Sequence, residues 1–358
     1  MAVAFGAEYR SEAIQIDPDD PARFGDGTGA GGPTSPQPFA SFSVHEVFAE
    51  ARLPLVEDAP WAKLLQINGA YRYSSYSTAG STNTYSYGAE WQPIDDFRLR
   101  ASYQRAVRAP NVLELFTPQS VVLTDGSFND PCYDGNNPGG PPDPAVFANC
   151  NAATGGASLM GTPAGDSLLS CPASQCNQLI GGSTALSPET ADTRSAGIVL
   201  TPTFIPGFSA TIDYFNIKLS NAISAFGAES ILDGCYVDGN AAMCALVSRN
   251  SIGGVYGSGF VINLNQNIGG IHTKGWDFEA NYQIDLADWD MGNNGSLALS
   301  FLGTLLNSYE TGGVDCAGFY GCALLQPQPK WRHKFRMTWS SPWDVDLSGQ
   351  WRHFSGVD

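Results

Sequence analysis

Residues 97–118 read FRLRASYQRAVRAPNVLELFTP. The first half alternates. Phe97, Leu99, Ala101 and Tyr103 share one face of a strand, and Arg98, Arg100, Ser102 and Gln104 share the other. A soluble sandwich would turn the apolar face into a core. A membrane barrel would turn it to lipid and leave the arginines in a wet lumen. The same period recurs along the chain, in runs near Val3–Arg10, Val47–Leu53, Leu65–Ser74, Tyr85–Trp91, Thr193–Thr203, Phe208–Ser220, Trp276–Ile284, Ser296–Asn307, Lys334–Trp339 and Val345–Arg352. About eleven strands follow from this period of two. The phase slips at Tyr214–Phe215, which marks either a bulge or the strand leaving a bilayer. Helical periodicity is confined to Ala228–Cys235 and Ala241–Val247, each sized for a single loop helix.

The connections sort by length. Pro54–Ala62, Gln92–Asp96, Pro202–Gly207, Asp285–Gly295 and Ser341–Asp344 are short. Asp17–Phe39, Ser75–Asn83, Ala109–Asp192, Asn221–Gly257 and Tyr309–Pro329 are the longer set, and they alternate with the short ones if Gly257–Ile284 is one strand interrupted at Gly269-Gly270. Short turns at one end and long loops at the other is the habit of an outer-membrane barrel. Trp61, Trp91, Trp276, Trp289, Trp331, Trp339 and Trp343 fall at predicted strand ends, where an interfacial aromatic girdle is expected.

The second half of the opening stretch carries a resemblance. Ser102-Tyr103, then Arg108-Ala109-Pro110-Asn111, then Glu114-Leu115-Phe116 resembles the barrel signature of TonB-dependent outer-membrane receptors, with Val107 in place of the usual aromatic. Ile212-Asp213-Tyr214-Phe215-Asn216-Ile217, Thr273-Lys274-Gly275-Trp276-Asp277-Phe278-Glu279 and Pro329-Lys330-Trp331-Arg332 resemble further strand motifs of that family, in order. The resemblance implies an all-β, antiparallel, up-and-down transmembrane barrel, partial, with long extracellular loops. Residues 1–358 would be one barrel region, with the long loop 109–192 within it and neither a plug domain before it nor the final strands after it. It also implies TonB-coupled uptake of a scarce solute (a ferric siderophore, cobalamin or an oligosaccharide) at the outer membrane of a Gram-negative bacterium. The partners would be outer-membrane lipid, the solute, and the TonB-ExbB-ExbD complex acting through a plug. A passive porin and a secreted all-β ligand-binding domain are the alternatives; the RAPN-x-x-ELF motif argues against the first.

Composition agrees with many strands joined by turns. Of 358 residues only 15% are charged, whereas glycine, proline and aromatics are plentiful. The formal net charge of −17 excludes a nucleic-acid binder, whose phosphate partner demands a basic surface. Met1 leads straight into AVAFGAEYRSE, with no basic segment, apolar core or small-residue cleavage site of a signal peptide. No apolar run approaches the ~20 residues of a spanning helix. The expectation is a piece of a longer protein whose targeting segment lies upstream.

Cys132, Cys150, Cys171, Cys176, Cys235, Cys244, Cys316 and Cys322 all fall in long loops. An even number at one end of the strands reads as disulfides in an oxidising compartment. Cys235–Cys244 and Cys316–Cys322 are alone in their loops; the first four cysteines allow three pairings. Zinc is disfavoured, because no CxxC occurs and His45, His272, His333 and His353 lie on strands. Asp17, Asp19, Asp20 and Asp26 depart from the EF-hand spacing and lack its closing Glu, so a solvated acidic loop is expected there. No nucleophile–base or paired-carboxylate arrangement is legible. No enzyme activity, cofactor or metal is expected. The candidate lumen charges are Arg72, Arg98, Arg100, Arg336, Arg352, Glu90, Asp277 and Glu279. They are read as pairing across strands, together with Glu8 and Asp346, or as facing a plug or ligand. The loop 109–192, with Asn221–Gly257, is expected to form the outer mouth.

Overall fold

The computed structural model describes residues 1–24, 36–124, 130–132, 144–153, 171–172, 175–289, 292–322 and 326–358. Eleven long strands form one continuous sheet in chain order, each antiparallel to the next. They are β1 (Ala2–Ile16), β2 (Gln37–Ala59), β3 (Ala62–Tyr76), β4 (Gly80–Ile94), β5 (Phe97–Arg108) and β6 (Glu189–Leu200). The rest are β7 (Phe208–Ser220), β8 (Gly270–Asp285), β9 (Ser296–Thr311), β10 (Trp331–Ser340) and β11 (Asp346–Phe354). The sheet is open: β1 and β11 are its edges.

Pairing register carries the alternation of each strand across the whole sheet. Leu53, Ile67, Ala89, Ala101, Ala196, Tyr214 and Trp276 fall in one row. One residue along, Glu90, Arg100, Gly197, Asp213, Asp277 and Thr304 form a row on the opposite face. A slip of one residue in any pair would turn every side chain of that strand to the wrong face, so strong patterning fixes the register.

The apolar face is not the inside of a sandwich. Phe5 is 85% exposed, Tyr87 58% and Leu347 60%. Among the described residues the two clusters of buried apolar side chains both lie at the loop end, one around Ile231 and Tyr236 and one around Phe42, Leu115 and Leu186. An apolar surface spanning eleven strands far exceeds the few hundred Å² that soluble monomers leave bare. It is the lipid-facing belt of a transmembrane barrel, here a partial one. Trp61, Trp289, Trp339 and Trp343 lie at the short-turn end, where the indole of Trp339 donates to the Asn294 carbonyl at 2.9 Å. The Trp91 indole reaches the Trp61 carbonyl at 3.3 Å. Amphipathic rings of this kind suit the boundary between lipid and water.

Two sequence expectations need correction, and a third is resolved between its alternatives. The β3–β4 connection is only Ser77–Ala79, because both strands extend past the Ser and Asn residues that suggested a loop. Gly257–Asn267 does not belong to the strand that follows. Phe260–Ile262 pairs with other loop segments, and β8 starts at Gly270. At Tyr214–Phe215 β7 keeps unbroken register with both neighbours, so of the two readings of the phase slip the bulge falls and the strand leaving the bilayer stands. Its polar and apolar faces exchange because the strand rises out of the belt: Ile212 and Tyr214 share a face with Asn216 and Lys218. A register shift does occur nearby in the β8–β9 pair, between Lys274 and Gly275. The two expected loop helices are present, at Ala228–Tyr236 and Ala241–Cys244.

Candidate functional site

The polar face and the loops above it form one continuous region. Arg72 meets Glu46 at 3.1 Å and Glu8 at 3.8 Å, while Arg98 lies 3.6 Å from Glu90. Arg100 reaches past the neighbouring strand to Asp213 of β7, with two bonds of 2.9 and 2.6 Å. Gly197 of β6 lies between the two in the same row. A Cβ at Gly197 would collide with the Asp213 carboxylate, so the ion pair depends on a bare backbone beneath it. Asp277 accepts from Thr304 at 2.7 Å and Glu279 from Asn281 at 2.8 Å; neither meets an arginine. Arg336 is in register with Ser300 and Gln350, and Arg352 lies beside the Gln350 side-chain amide. Asp346 is paired in register with Ser340, away from the arginines. The expected cross-strand pairing thus holds for Glu8 and Glu90, and the partner of Arg100 is one the sequence reading did not name.

Gly197→Ala is expected to push Asp213 off Arg100. Both groups are partly exposed, so the loss is about 1 kcal/mol. The check is the temperature at which the folded barrel loses its heat-modifiable mobility. Adding Asp213→Ala to Gly197→Ala should lower it little further, since coupled residues are not additive.

The Arg108–Phe116 motif is a latch at the rim. Arg108 ends β5 and donates to Glu189, the first residue of β6, at 2.6 Å. It also clamps both carboxylate oxygens of Glu114 at 2.9 and 3.0 Å. Pro110 supplies no N–H and fixes the turn. Asn111 then caps the one-turn helix Val112–Phe116, accepting from Leu113 and Glu114, while Glu114 reaches back to the Asn111 N–H in a capping box. Leu115 is buried with Phe42 and Leu186, and Phe116 packs against them. Gly182 crosses so close behind that a Cβ there would fall 2.7 Å from the Leu115 backbone. The second oxygen of Glu189 accepts from Ile223 N–H at 2.7 Å, which ties in the next long loop. Ala109 is the link between the clamp and the turn.

Above the latch, the described segments of loops 109–188 and 221–269 fold together. Their segments Val247–Ser248, Phe260–Ile262, Asn177–Ile180 and Ser120–Leu123 form a four-stranded sheet in that order. The central pairing, 177–180 with 260–262, joins the two loops. Helix Ala228–Tyr236 buries Ile231, Leu232, Cys235 and Tyr236 against Cys132, Cys150, Cys176, Val255 and Val261. At the centre, Arg249 makes two bonds of 2.7 and 2.8 Å to Asp130, with side-chain exposures of 7% and 4%. It also donates to the Tyr236 hydroxyl and the Gly253 carbonyl, 2.8 and 2.7 Å away. Burial works against the charge of this guanidinium, but the Asp130 carboxylate outweighs it and holds the pKa above the ordinary arginine value. In the same cap Asp233 is raised by burial and by Asp238 nearby.

All eight cysteines are at the loop end, bonded as Cys132–Cys150, Cys171–Cys176, Cys235–Cys244 and Cys316–Cys322. The pairing left open among the first four is between sequence neighbours. Of the acidic stretch, Asp17 pairs with Arg23 and Asp19 caps Ala22, while Asp26 lies outside the described residues. Sequence reading missed the Arg249–Asp130 centre. The available signal was that Arg249 is the sole Lys or Arg between Lys218 and Lys274.

An open antiparallel meander with a lipid belt, a charged inner face and loops gathered at one end defines an outer-membrane-type barrel. The profile described as TonB dependent receptor-like, beta-barrel matches residues 2–358, and the chain belongs to that family. No curated protein matches its sequence. Solved structures share the fold. A mutant of the ferric enterobactin receptor PfeA from Pseudomonas aeruginosa superposes with a TM-score of 0.55 at 15% identity, covering 97% of this chain and 38% of that one. The siderophore receptor PirA from Acinetobacter baumannii gives a TM-score of 0.55 at 14% identity, covering 99% and 41%. The chain therefore spans about two fifths of the length of these receptors.

Proposed function

We propose that this chain forms wall and outer mouth of a receptor that captures a scarce solute and passes it inward by TonB coupling. Capture is assigned to the fused cap, and the charged inner face is assigned to plug or solute contact. Energy would come from the TonB-ExbB-ExbD complex acting through a plug domain. The observation that carries the reading is the cap itself. The described segments of two loops, each of a length uncommon in compact domains, are joined by a shared core, disulfides and a buried ion pair. Such bracing lowers the entropy lost when a surface closes on a ligand. Siderophores, cobalamin and oligosaccharides remain the candidate classes. The 109–188 loop carries Glu114, Asp125, Asp130, Asp134, Asp143 and Asp166 but no Lys or Arg, which favours a neutral or cationic solute over a polyanion.

The test excises the cap between residues that already pair. Residues 121–179 and 225–265 are each replaced by a short Gly-Ser turn, since Ser120 pairs with Ile180 and Ser224 with Gln266. Latch and barrel are retained. In a strain dependent on the full-length receptor, growth is scored on ferric siderophores, cobalamin and maltooligosaccharides. The excised receptor should remain folded in the outer membrane and bind its solute at least tenfold more weakly, about 1.4 kcal/mol. Undiminished binding would remove the cap from the mechanism.

A further inference from the structure

The apolar face carries four cations, Arg105, Arg194, Lys218 and Lys274, that outnumber its carboxylates, with Asp192 in register between Arg105 and Lys218. Two adjacent rows cross it just above the belt. One runs Tyr85, Arg105, Asp192, Lys218, His272 and Glu310; the next runs Tyr87, Tyr103, Arg194, Asn216, Lys274 and Ser308. His272 lies 3.5 Å from Glu310, and Asp192 accepts from the Tyr103 hydroxyl at 2.7 Å. Among the described residues Arg105, Arg194, Lys218 and Lys274 make no ion pair. On the opposite face Arg72, Arg98, Arg100 and Arg108 all do. The four cations lie on four successive strands and alternate between two adjacent rows, within a patch about 15 Å across.

Directly below lies an apolar hollow of about 670 Å³. Its floor is Ala89, Ala101 and Ala196, and its walls include Trp91, Leu99 and Trp276. A second hollow adjoins it at Ala89 and Ala101 and reaches Arg194. An unbalanced positive patch with an apolar slot beneath it is complementary to one kind of molecule: an anionic head joined to hydrocarbon. We infer that this patch is a binding site for a phosphomonoester-bearing lipid of the outer leaflet. The phosphate is held between Arg105, Arg194, Lys218 and Lys274, and an acyl chain lies in the hollow. The tyrosine ring of Tyr103, anchored on Asp192, separates the two levels. Basic side chains near a bilayer surface attract anionic lipid in this way, and arginine adds bidentate geometry toward phosphate. The inference rests on the belt facing lipid, as proposed for the intact receptor.

The full-length receptor is purified in a nonionic detergent. It is titrated separately with dioleoyl phosphatidic acid and dioleoyl phosphatidylcholine, and retained lipid is counted by native mass spectrometry. The wild type should hold phosphatidic acid at least tenfold more tightly than phosphatidylcholine. Arg105→Gln/Arg194→Gln/Lys218→Gln/Lys274→Gln should erase that preference, and Ala101→Trp should weaken both lipids while leaving the preference. If the quadruple variant does not give a heat-modifiable barrel, Arg194→Gln/Lys274→Gln is used, with at least a threefold loss of preference expected. Equal affinity of the wild type for the two lipids, or a preference that survives the charge substitutions, would overturn the site. A receptor that stays dispersed after detergent removal and holds neither lipid would overturn the belt reading along with it.

Discussion

Arg249→Met is expected to open the cap and leave the barrel standing. The substitution removes the guanidinium that satisfies Asp130 and the Tyr236 hydroxyl, all in a nearly dry pocket. Breaking a buried pair from one side strands the other charge, at a cost of about 3–5 kcal/mol. That is comparable to the whole stability of a small core, so the cap should lose its fold cooperatively. The barrel should not follow, because its strands hold one another by continuous ladders that do not pass through Arg249. Hydrogen exchange separates the two outcomes. Amides of helix Ala228–Tyr236 and of Asn177–Ile180 should lose protection, and those of β4 and β5 should keep theirs. Asp130→Ala/Arg249→Met should recover part of the loss, since no uncompensated charge remains. An Arg249→Met protein with undisturbed cap protection would mean that the disulfides and the Ile231–Tyr236 cluster hold the cap unaided.

The strands were legible because each has its own record in the sequence. β5 shows it best: Leu99, Ala101 and Tyr103 belong to lipid and Arg98, Arg100 and Ser102 to the lumen, so period and register follow from one line of residues. The cap was not legible, because its contacts join positions far apart in the chain. Asp130 and Arg249 are 119 residues apart, and nothing local to either predicts the other. Phe260–Ile262 looked like the start of a strand because it is one, but its partner is Asn177–Ile180 and not β7. The helix Ala228–Cys235 could be read from its spacing of Ile231, Leu232 and Cys235, yet not what those residues cover. The lumen pairs fall between these cases. Arg98–Glu90 joins neighbouring strands and was expected, whereas Arg100–Asp213 requires knowing that β6 intervenes and that Gly197 leaves room.

The alternation itself has a depth, and that depth can be measured along one strand. Ile212 lies in the middle of the belt, in a row with Leu99, Ile198 and Phe278. Ser220 is on the same face of β7 at its loop end, in register with Thr190 and Gly270. Thr211 is next to Ile212 but on the polar face, between Val199 and Glu279. Arginine on the lipid face of a barrel costs about 2–4 kcal/mol at the bilayer midplane and about 0–1 near its surfaces. Ile212→Arg should therefore destabilise the receptor by ~2–4 kcal/mol, and Ser220→Arg by less than about 1. Thr211→Arg, beside Glu279, should stay within about 0.5 kcal/mol of the parent, as surface substitutions usually do. Reversible urea unfolding of the full-length receptor in phosphatidylcholine vesicles gives the three values. Repeating the series in thinner and thicker bilayers should move the cost at Ser220 and leave that at Ile212 large, because only the outer position changes its distance from the lipid boundary. Costs that ignore bilayer thickness altogether would mean that the apolar face is covered by protein and not by lipid, and the membrane assignment of the whole sheet would fall.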